Sequence, residues 1–470
     1  MKKEVLYLKI ANILEKQITS DTMKIGTRLP SIRTLGRVYD VSINTAKQAY
    51  YELERKSLIE ARPKSGYFVS SSLKRKLNIP SATAPMPAPS ELEPDSLIVE
   101  VLGHLEKKEI TPFSLGVPDA SLLPVEKLNK SIVKLTRSVE GSGIDYEPVQ
   151  GNANLRRIVA HWSFVWGGAL EDEDIITTSG ATNAIYHALM ATTKPGHSIA
   201  VDSPVYINLL QVALAQGLKV IELPTHPVTG VDIEALKKVV PKIKACVLIS
   251  NFSNPLGSCM PEEHKREVVR LLGHHGIPLI EDDIYGDLFF EDTRPVPCKA
   301  YDEEGMVLWL SSVSKTVAPG FRVGWVAPGK FKDKILRQKL VETIAYPKLY
   351  QEVIADFMEN GRYEHHLRSL RSSLYSNCLN YLRAIDEYFP EGTKVSRPKG
   401  GFTLWVELDE RINTLRLFEM ALKYNISIAP GRMFTLQDQY YNCMRLSFGL
   451  KWNERLDRDL ATLGKLAAML

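Results

Sequence analysis

The chain has 470 residues, 44% hydrophobic and 24% charged, an ordinary globular make-up with room for two or three domains. No apolar run approaches the roughly 20 residues of a membrane span, and five cysteines without a Cys-x-x-Cys pair argue against a disulfide framework or zinc site and suit a reducing cytoplasm. The formal charge of +4 hides a division, +9 over residues 1–78 against −5 over the rest, so a basic head that should meet a polyanion sits on a mildly acidic body.

Residues 3–20 predict an amphipathic helix with Leu6, Ile10, Ile13, Leu14 and Gln17 along one face, not a cleaved signal. After Gly26, Ser31 is placed to cap a helix to about Tyr39. Asp40-Val41 makes a turn, and Ser42 caps a second helix through about Arg55. Two short helices joined tightly predict a helix-turn-helix whose second helix enters a DNA major groove. Leu58–Ala61 and Gly66–Val69, turned by Arg62-Pro63-Lys64-Ser65, predict a basic hairpin wing. Ser42, Asn44, Thr45 and Lys47 are the candidates for reading the groove of double-stranded DNA and binding phosphates there, with Arg28, Ser31, Arg33, Arg62 and Lys64 placed to hold the backbone.

The segments RLPSIRTLG, VSINTAKQAYYELE and LIEARPKSGYFV resemble the winged helix-turn-helix of the GntR family across residues 3–70. Ile43 stands where that family commonly has arginine, so the operator does not carry over. From Ser70 to Ser96 the pattern gives way to a stretch holding Pro80, Pro85, Pro87, Pro89 and Pro94. That composition predicts a semi-extended tether of at most ~3.1 Å per residue, with Lys74, Arg75 and Lys76 solvated. The expected division is a DNA-binding head at 1–70, a linker at 71–96 and a body at 97–470, its large part about 111–345 and its small part about 346–470.

In the body, apolar β-branched runs alternate with helical patterns: Asp174–Thr178, Ser198–Val201, Ala245–Ile249, Ile277–Ile280 and Val307–Leu310. The fold class expected is α/β with a mostly parallel sheet, ligands lying beyond the carboxyl ends of its strands. Chemistry-bearing residues follow those runs. Gly180 opens a helix whose Ala181 and Thr182 amides suit a phosphate. Tyr206 offers a flat ring, and Asn254 a donor on a Pro-Gly turn. Asp282, with Asp283 as its rival, and Tyr285 come next; no histidine accompanies the acids at metal-ligand spacing, so no metal is expected. Ser311 to Trp325 then crowds Lys315 with Ser312, Ser314 and Arg322. Neighbouring cations and partial burial lower a lysine's pKa, and hydroxyls with a guanidinium grip phosphate oxygens. A nucleophilic amine beside a phosphate clamp suits pyridoxal 5'-phosphate held as a Schiff base.

The order of these pieces resembles the fold-type I pyridoxal-phosphate enzymes of the class I aminotransferase family, over about residues 111–465. The resemblance implies that Lys315 carries the cofactor and Asp282 pairs with its ring nitrogen. Asn254 and Tyr285 would hold the 3'-oxygen and Tyr206 would stack. Gly180, Ala181, Thr182, Ser312, Ser314 and Arg322 would hold the phosphate. Tyr146, in IDYEPVQGNANLR, would reach the phosphate of a neighbouring subunit, which implies a homodimer. RPKGGFTLWVEL, ISIAPGRMF and CMRLSFG look like strands of a smaller α/β part, where Arg445 matches the clamp for a substrate carboxylate and the Gly116 loop lines the same pocket. Leu256 departs from the family's Asn-Pro-Thr-Gly.

The whole resembles the MocR subfamily of GntR-family transcription regulators. That implies a cytoplasmic, amino-acid- or amine-responsive regulator with no membrane partner. The alternative is a working aminotransferase, amino acid to 2-oxo acid, carrying a fused DNA-binding domain. A third possibility is a constitutive DNA-binding protein with an inert body.

Overall fold

The computed structural model describes residues 6–19, 23–56, 58–62, 65–70, 77–86, 88, 101, 103, 107, 109–138 and 144–470. The predicted phosphate contact Lys64, the basic run Lys74-Arg75-Lys76 and most of the proline stretch lie outside these residues.

The head opens with α1 (Leu6–Thr19), α2 (Ile32–Val38) and α3 (Ile43–Arg55). Both expected caps form. Ser31 Oγ accepts from the Thr34 amide at 3.1 Å, and Ser42 Oγ from the Thr45 amide at 3.0 Å. Asp40, at φ +49°, makes the sharp turn between the two short helices. The wing is an antiparallel pair, β1 (Ile59–Arg62) against β2 (Gly66–Val69), one residue later at its start than the sequence pattern suggests. Leu35, Ala46, Ala49, Tyr50, Leu53, Ile59 and Val69 bury into one cluster made only of head residues, so the head carries its own small core.

Its seam with the body involves the second half of α3. Gln48 Nε2 donates to Asp292 at 2.8 Å, and the Tyr51 and Tyr375 rings lie 5.1 Å apart. Arg397 Nη1 donates to the Arg55 carbonyl at 2.9 Å, satisfying an acceptor that the end of the helix leaves open. Burial at this seam raises the Glu54 carboxyl to about 7.

Residues 77–86, part of the stretch expected as a semi-extended tether, lie bonded along the body. Ser81 N donates to Glu407 at 2.8 Å and Thr83 Oγ1 to the Ser203 carbonyl at 2.8 Å. Prolines in this stretch forbid helix, yet an extended chain keeps alternate amides free to dock.

The large part of the body is a seven-stranded sheet. Its strands are β3 (Ile176–Thr178), β4 (Ser198–Asp202), β5 (Lys219–Leu223), β6 (Ala245–Leu248), β7 (Leu279–Asp282), β8 (Val307–Ser312) and β9 (Gly324–Ala327), in the spatial order β3-β9-β8-β7-β6-β4-β5. The run from β8 to β5 is parallel, and β9 is antiparallel to both its neighbours. Two of the seven, β5 and β9, were not expected. β5 holds the fully buried Glu222, whose charge masks an apolar run, and β9 begins at a glycine. Helix α4 (Ala181–Thr192) follows β3, and α5 (Ile207–Ala215) follows β4. Their apolar faces cover one side of the sheet through Ala184, Ile185, Leu209 and Ala213.

The small part packs the long helix α6 (Arg362–Tyr388) against β10 (Lys394–Val395), β11 (Thr403–Glu407), β12 (Ala429–Pro430) and β13 (Cys443–Ser447), an antiparallel sheet in the order β10-β11-β13-β12. The stretch from Arg397 to Phe402, expected as strand, is instead a tight loop. A Cβ at Gly400 would meet the Leu288 carbonyl at 2.6 Å and the Phe252 ring at 2.6 Å, so this backbone runs too close to the large part for a side chain. Among the described residues no helix is long and apolar enough to cross a membrane, and no cluster of three or more His, Cys, Asp or Glu side chains is placed to hold a metal ion.

Candidate cofactor pocket and DNA-reading helix

The carboxyl ends of β3, β4, β6, β7 and β8 surround one cavity of about 150 Å³. Ala181 and Thr182 reach it from the start of α4, Tyr206 from the residue before α5, and Asn254 from the turn after β6. Asp282 and Tyr285 come from the end of β7, and Ser314, Lys315 and Arg322 from beyond β8. Side chains scattered over 142 positions meet because each strand of a parallel sheet delivers its last residues to the same edge.

Lys315 Nζ donates to the Gly116 carbonyl, which brings the expected Gly116 loop to the amine. Burial, and then the Arg445 and Arg322 guanidiniums, lower its pKa to about 8 against the opposing pull of Asp282. Asp282 is 3% exposed; burial raises its carboxyl to about 7, although the Ile284 amide donates to it at 3.1 Å. The rival Asp283 is committed elsewhere. It bonds Arg294 at 2.6 Å, Asn251 at 2.8 Å and Trp309 at 2.9 Å, in a buried cluster away from the cavity. Asn254 Nδ2 donates to Tyr285 Oη at 3.4 Å, and burial pushes the Tyr285 phenol up.

Gly180 does not line the cavity. It lies at φ +79°, and a Cβ there would sit 2.3 Å from Arg322 Nη2, so the bare backbone lets the guanidinium come close. Arg322 donates to Ser314 Oγ, the Pro319 carbonyl and the Ser179 carbonyl, each at 3.1 Å. Ser312 also stops short of the cavity; its hydroxyl donates to Ser314 Oγ at 2.7 Å and so aims the serine that faces inward.

Arg445 enters from β13, paired in register with Trp405 and Ala429. Its guanidinium is buried over the Phe434 ring, centroid 5.2 Å away, and donates to Asn254 Oδ1 at 3.2 Å and to the Ser114 carbonyl. Its Nε has no partner. Tyr146 is not brought to this cavity; it stands 82% exposed on the surface. Sequence reasoning passed over two contributors. Asn208 lines the cavity, and Asn183 Oδ1 accepts from the Ser179 amide at 3.1 Å, fixing the turn before α4. Both lie in the first turns of α4 and α5, within segments already singled out, where an asparagine reads as an ordinary helix-start residue.

On the head, Ser42, Ile43 and Asn44 at the start of α3 are exposed, and Thr45 and Lys47 are half-exposed. The Lys47 ammonium sits 5.0 Å from the centre of the Tyr51 ring. Arg28, Ser31 and Arg33 are exposed nearby in the sequence, and the exposed Arg62 stacks on Phe68 at 4.4 Å while pairing with Glu60.

Comparison with known proteins adds two family matches. Residues 6–69 match the bacterial regulatory proteins of the gntR family, and residues 110–458 match aminotransferase class I and II. The HTH-type transcriptional regulator YjiR of Escherichia coli, itself uncharacterized, is 36% identical over 98% of both chains. This chain is a GntR-family transcriptional regulator with a class I and II aminotransferase body. The regulator NorG of Staphylococcus aureus is 28% identical over 92% of this chain and 98% of its own. Among solved structures, the α-aminoadipate aminotransferase LysN of Thermus thermophilus, complexed with N-(5'-phosphopyridoxyl)-L-leucine, superposes with a TM-score of 0.74 at 26% identity, covering 80% of this chain and 95% of that one. The kynurenine aminotransferase of Pyrococcus horikoshii does so with 0.75 at 26% identity and the same coverage. The two halves of the GntR-family regulator thus match two different families, joined in the MocR-like order. Its helix-turn-helix implies DNA binding.

Proposed function

We propose that this GntR-family regulator senses an amino acid or related amine through pyridoxal 5'-phosphate bound at Lys315, and that the outcome alters DNA binding by the head. The observation that carries the reading is the meeting of the Lys315 amine, the buried Asp282 carboxyl and the Arg322 guanidinium on one cavity, beside which the buried Arg445, its Nε without a partner, bonds the lining Asn254. The residues suit the cofactor. The bare backbone of Gly180 lets the Arg322 guanidinium come close, and Arg322, Ser314 and the neighbouring Ala181 and Thr182 amides are donors that would suit a phosphate. When bound, pyridoxal 5'-phosphate supplies an aldehyde that condenses with amines and a ring that draws electrons.

Lys315, lowered to about 8, keeps a usable neutral fraction at neutral pH and attacks as the free amine. Asp282 would hold a proton on the ring nitrogen through its carboxylate, a pairing that would oppose the upward push of burial. Asn254 and Tyr285 provide donors for a phenolic oxygen, and Tyr206 a flat wall. Arg445 takes the carboxylate of the incoming amino acid with two N–H groups. The exposed Ile144 and Tyr146 are apolar surface that a second subunit would cover, which supports a homodimer as the working form. A regulator that must reach DNA works in the cytoplasm. Sensing requires that the amine bind two arrangements of the chain unequally.

The test is a panel of amines added to purified protein with cofactor, followed at once by absorbance and by affinity for its own promoter DNA. An amine that changes both supports the reading; a chain that takes up no cofactor sinks it. The joint presence of Lys315, Asp282 and Arg445 also favours the second reading, a fused aminotransferase. Steady release of 2-oxo acid from an amino acid would put that reading first.

A further inference from the structure

Residues 77–86 bond to both parts of the body in quick succession. On the small part, Val395 N donates to the Asn78 carbonyl at 2.9 Å, Ser81 N to Glu407 Oε2 at 2.8 Å, and Lys394 Nζ to Ser81 Oγ at 3.0 Å. On the large part, Thr83 N donates to the Thr225 carbonyl at 3.1 Å and Thr83 Oγ1 to the Ser203 carbonyl at 2.8 Å; the Thr225 amide donates back to Thr83 Oγ1 at 2.7 Å. Met86 and the Gln437 side chain then exchange two bonds, at 2.8 and 2.9 Å.

Only Ala82 lies between the anchors Ser81 and Thr83, and two extended residue steps span at most about 7 Å. The segment therefore has no slack across the joint. Any movement that takes Glu407 away from Ser203 must break one set of these bonds. Ser203 stands three residues before Tyr206, which lines the cavity, and its hydroxyl bonds Glu222 at 2.5 Å and Tyr440 at 2.9 Å where the two parts meet. At the other end, one guanidinium joins this segment to the head. Arg397 donates from Nη2 to the Leu77 carbonyl at 3.0 Å and from Nη1 to the Arg55 carbonyl at the end of α3.

We infer that the body carries a docking surface for its own linker, and that residues 77–86 form a strap whose attachment across the two parts couples the Lys315 cavity to the recognition helix through Arg397. The inference rests on the cofactor reading of that cavity and adds the route by which ligand binding reaches the head. By linkage, a strap that responds to the ligand must also alter the ligand's affinity.

The experiment uses the full chain and a phosphopyridoxyl-L-alanine probe, whose binding is read from the fluorescence of its ring. Hydrogen exchange of peptides covering 77–88 is measured with and without the probe. The expected result is slow exchange at Ser81 and Thr83 in the free chain, changed at least fivefold by the bound probe. Thr83→Val and, separately, Ser81→Ala should each shift the probe's dissociation constant at least threefold and shrink the exchange difference. A bound probe with unchanged exchange over 77–88 overturns the strap while leaving the cofactor reading intact. Failure of the probe to bind overturns both.

Discussion

Two lysines show how differently the two halves of this regulator use charge. Lys47, in the head, lies half-exposed along the Tyr51 ring on α3, and the proposed DNA contact would meet it there. Lys315, in the body, is packed among two guanidiniums and a buried carboxyl and is held to about 8. DNA brings its own dense charge, so the head needs only cations left in water. The body withdraws its lysine from water, and condensation with an aldehyde, the chemistry proposed for this cavity, needs such a neutral amine.

The strongest way to break this contrast is Lys315→Ala. It should abolish the borohydride-reducible absorbance of bound cofactor completely while leaving DNA binding by the head measurable in a gel shift. Leu53→Ala tests the reverse independence. Leu53 is fully buried in the head's own core, and the substitution should cost about 2–5 kcal/mol. Calorimetry should then show the head melting earlier, with cofactor absorbance retained.

A smaller effect follows from pH. The folded-state pKa of Lys315 lies below its ordinary 10.5, so the unfolded chain binds more protons between about 8 and 10.5 and this group's contribution to stability rises across that window. For the same reason the neutral fraction, and with it the rate of cofactor capture by the empty chain, should rise roughly tenfold from pH 7 to 9. Stopped-flow absorbance checks this, and a flat profile would contradict the buried-amine account. The smallest expected change is Ser42→Ala. Loss of the cap on α3 should cost about 1 kcal/mol, lowering the head's melting point and its DNA affinity while leaving the cofactor spectrum unchanged.

Much of the head was legible because its signals are local. Ser31 and Ser42 cap the helices expected of them, and the turn at Asp40 lies where the pattern breaks. In the body, strand ends pointed to most of the cavity wall, and the structure chose Asp282 over Asp283 by giving the latter to Arg294. No spacing rule separates two adjacent acids; only the packing around them does. Glu222 concealed a strand for a related reason. A buried carboxyl is stable there because Ser203, Thr435 and the Leu436 amide, distant in the chain, donate to it. The seating of residues 77–86 on the body was not legible, because composition reports what a segment cannot form, not what it docks against.

Local chemistry, then, settled where the helices of the head begin, which strands deliver residues to a shared edge and which lysine stands beside a serine and an arginine on the cavity. Folding in three dimensions decided what those patterns leave open: the carboxyl that faces the cavity, the guanidinium that arrives from a strand 130 residues beyond Lys315, and the seating of residues 77–86 across the joint. The reason is range. Caps, turns and alternation act over a few residues, whereas burial and hydrogen-bond partnership depend on neighbours that only the assembled chain brings together.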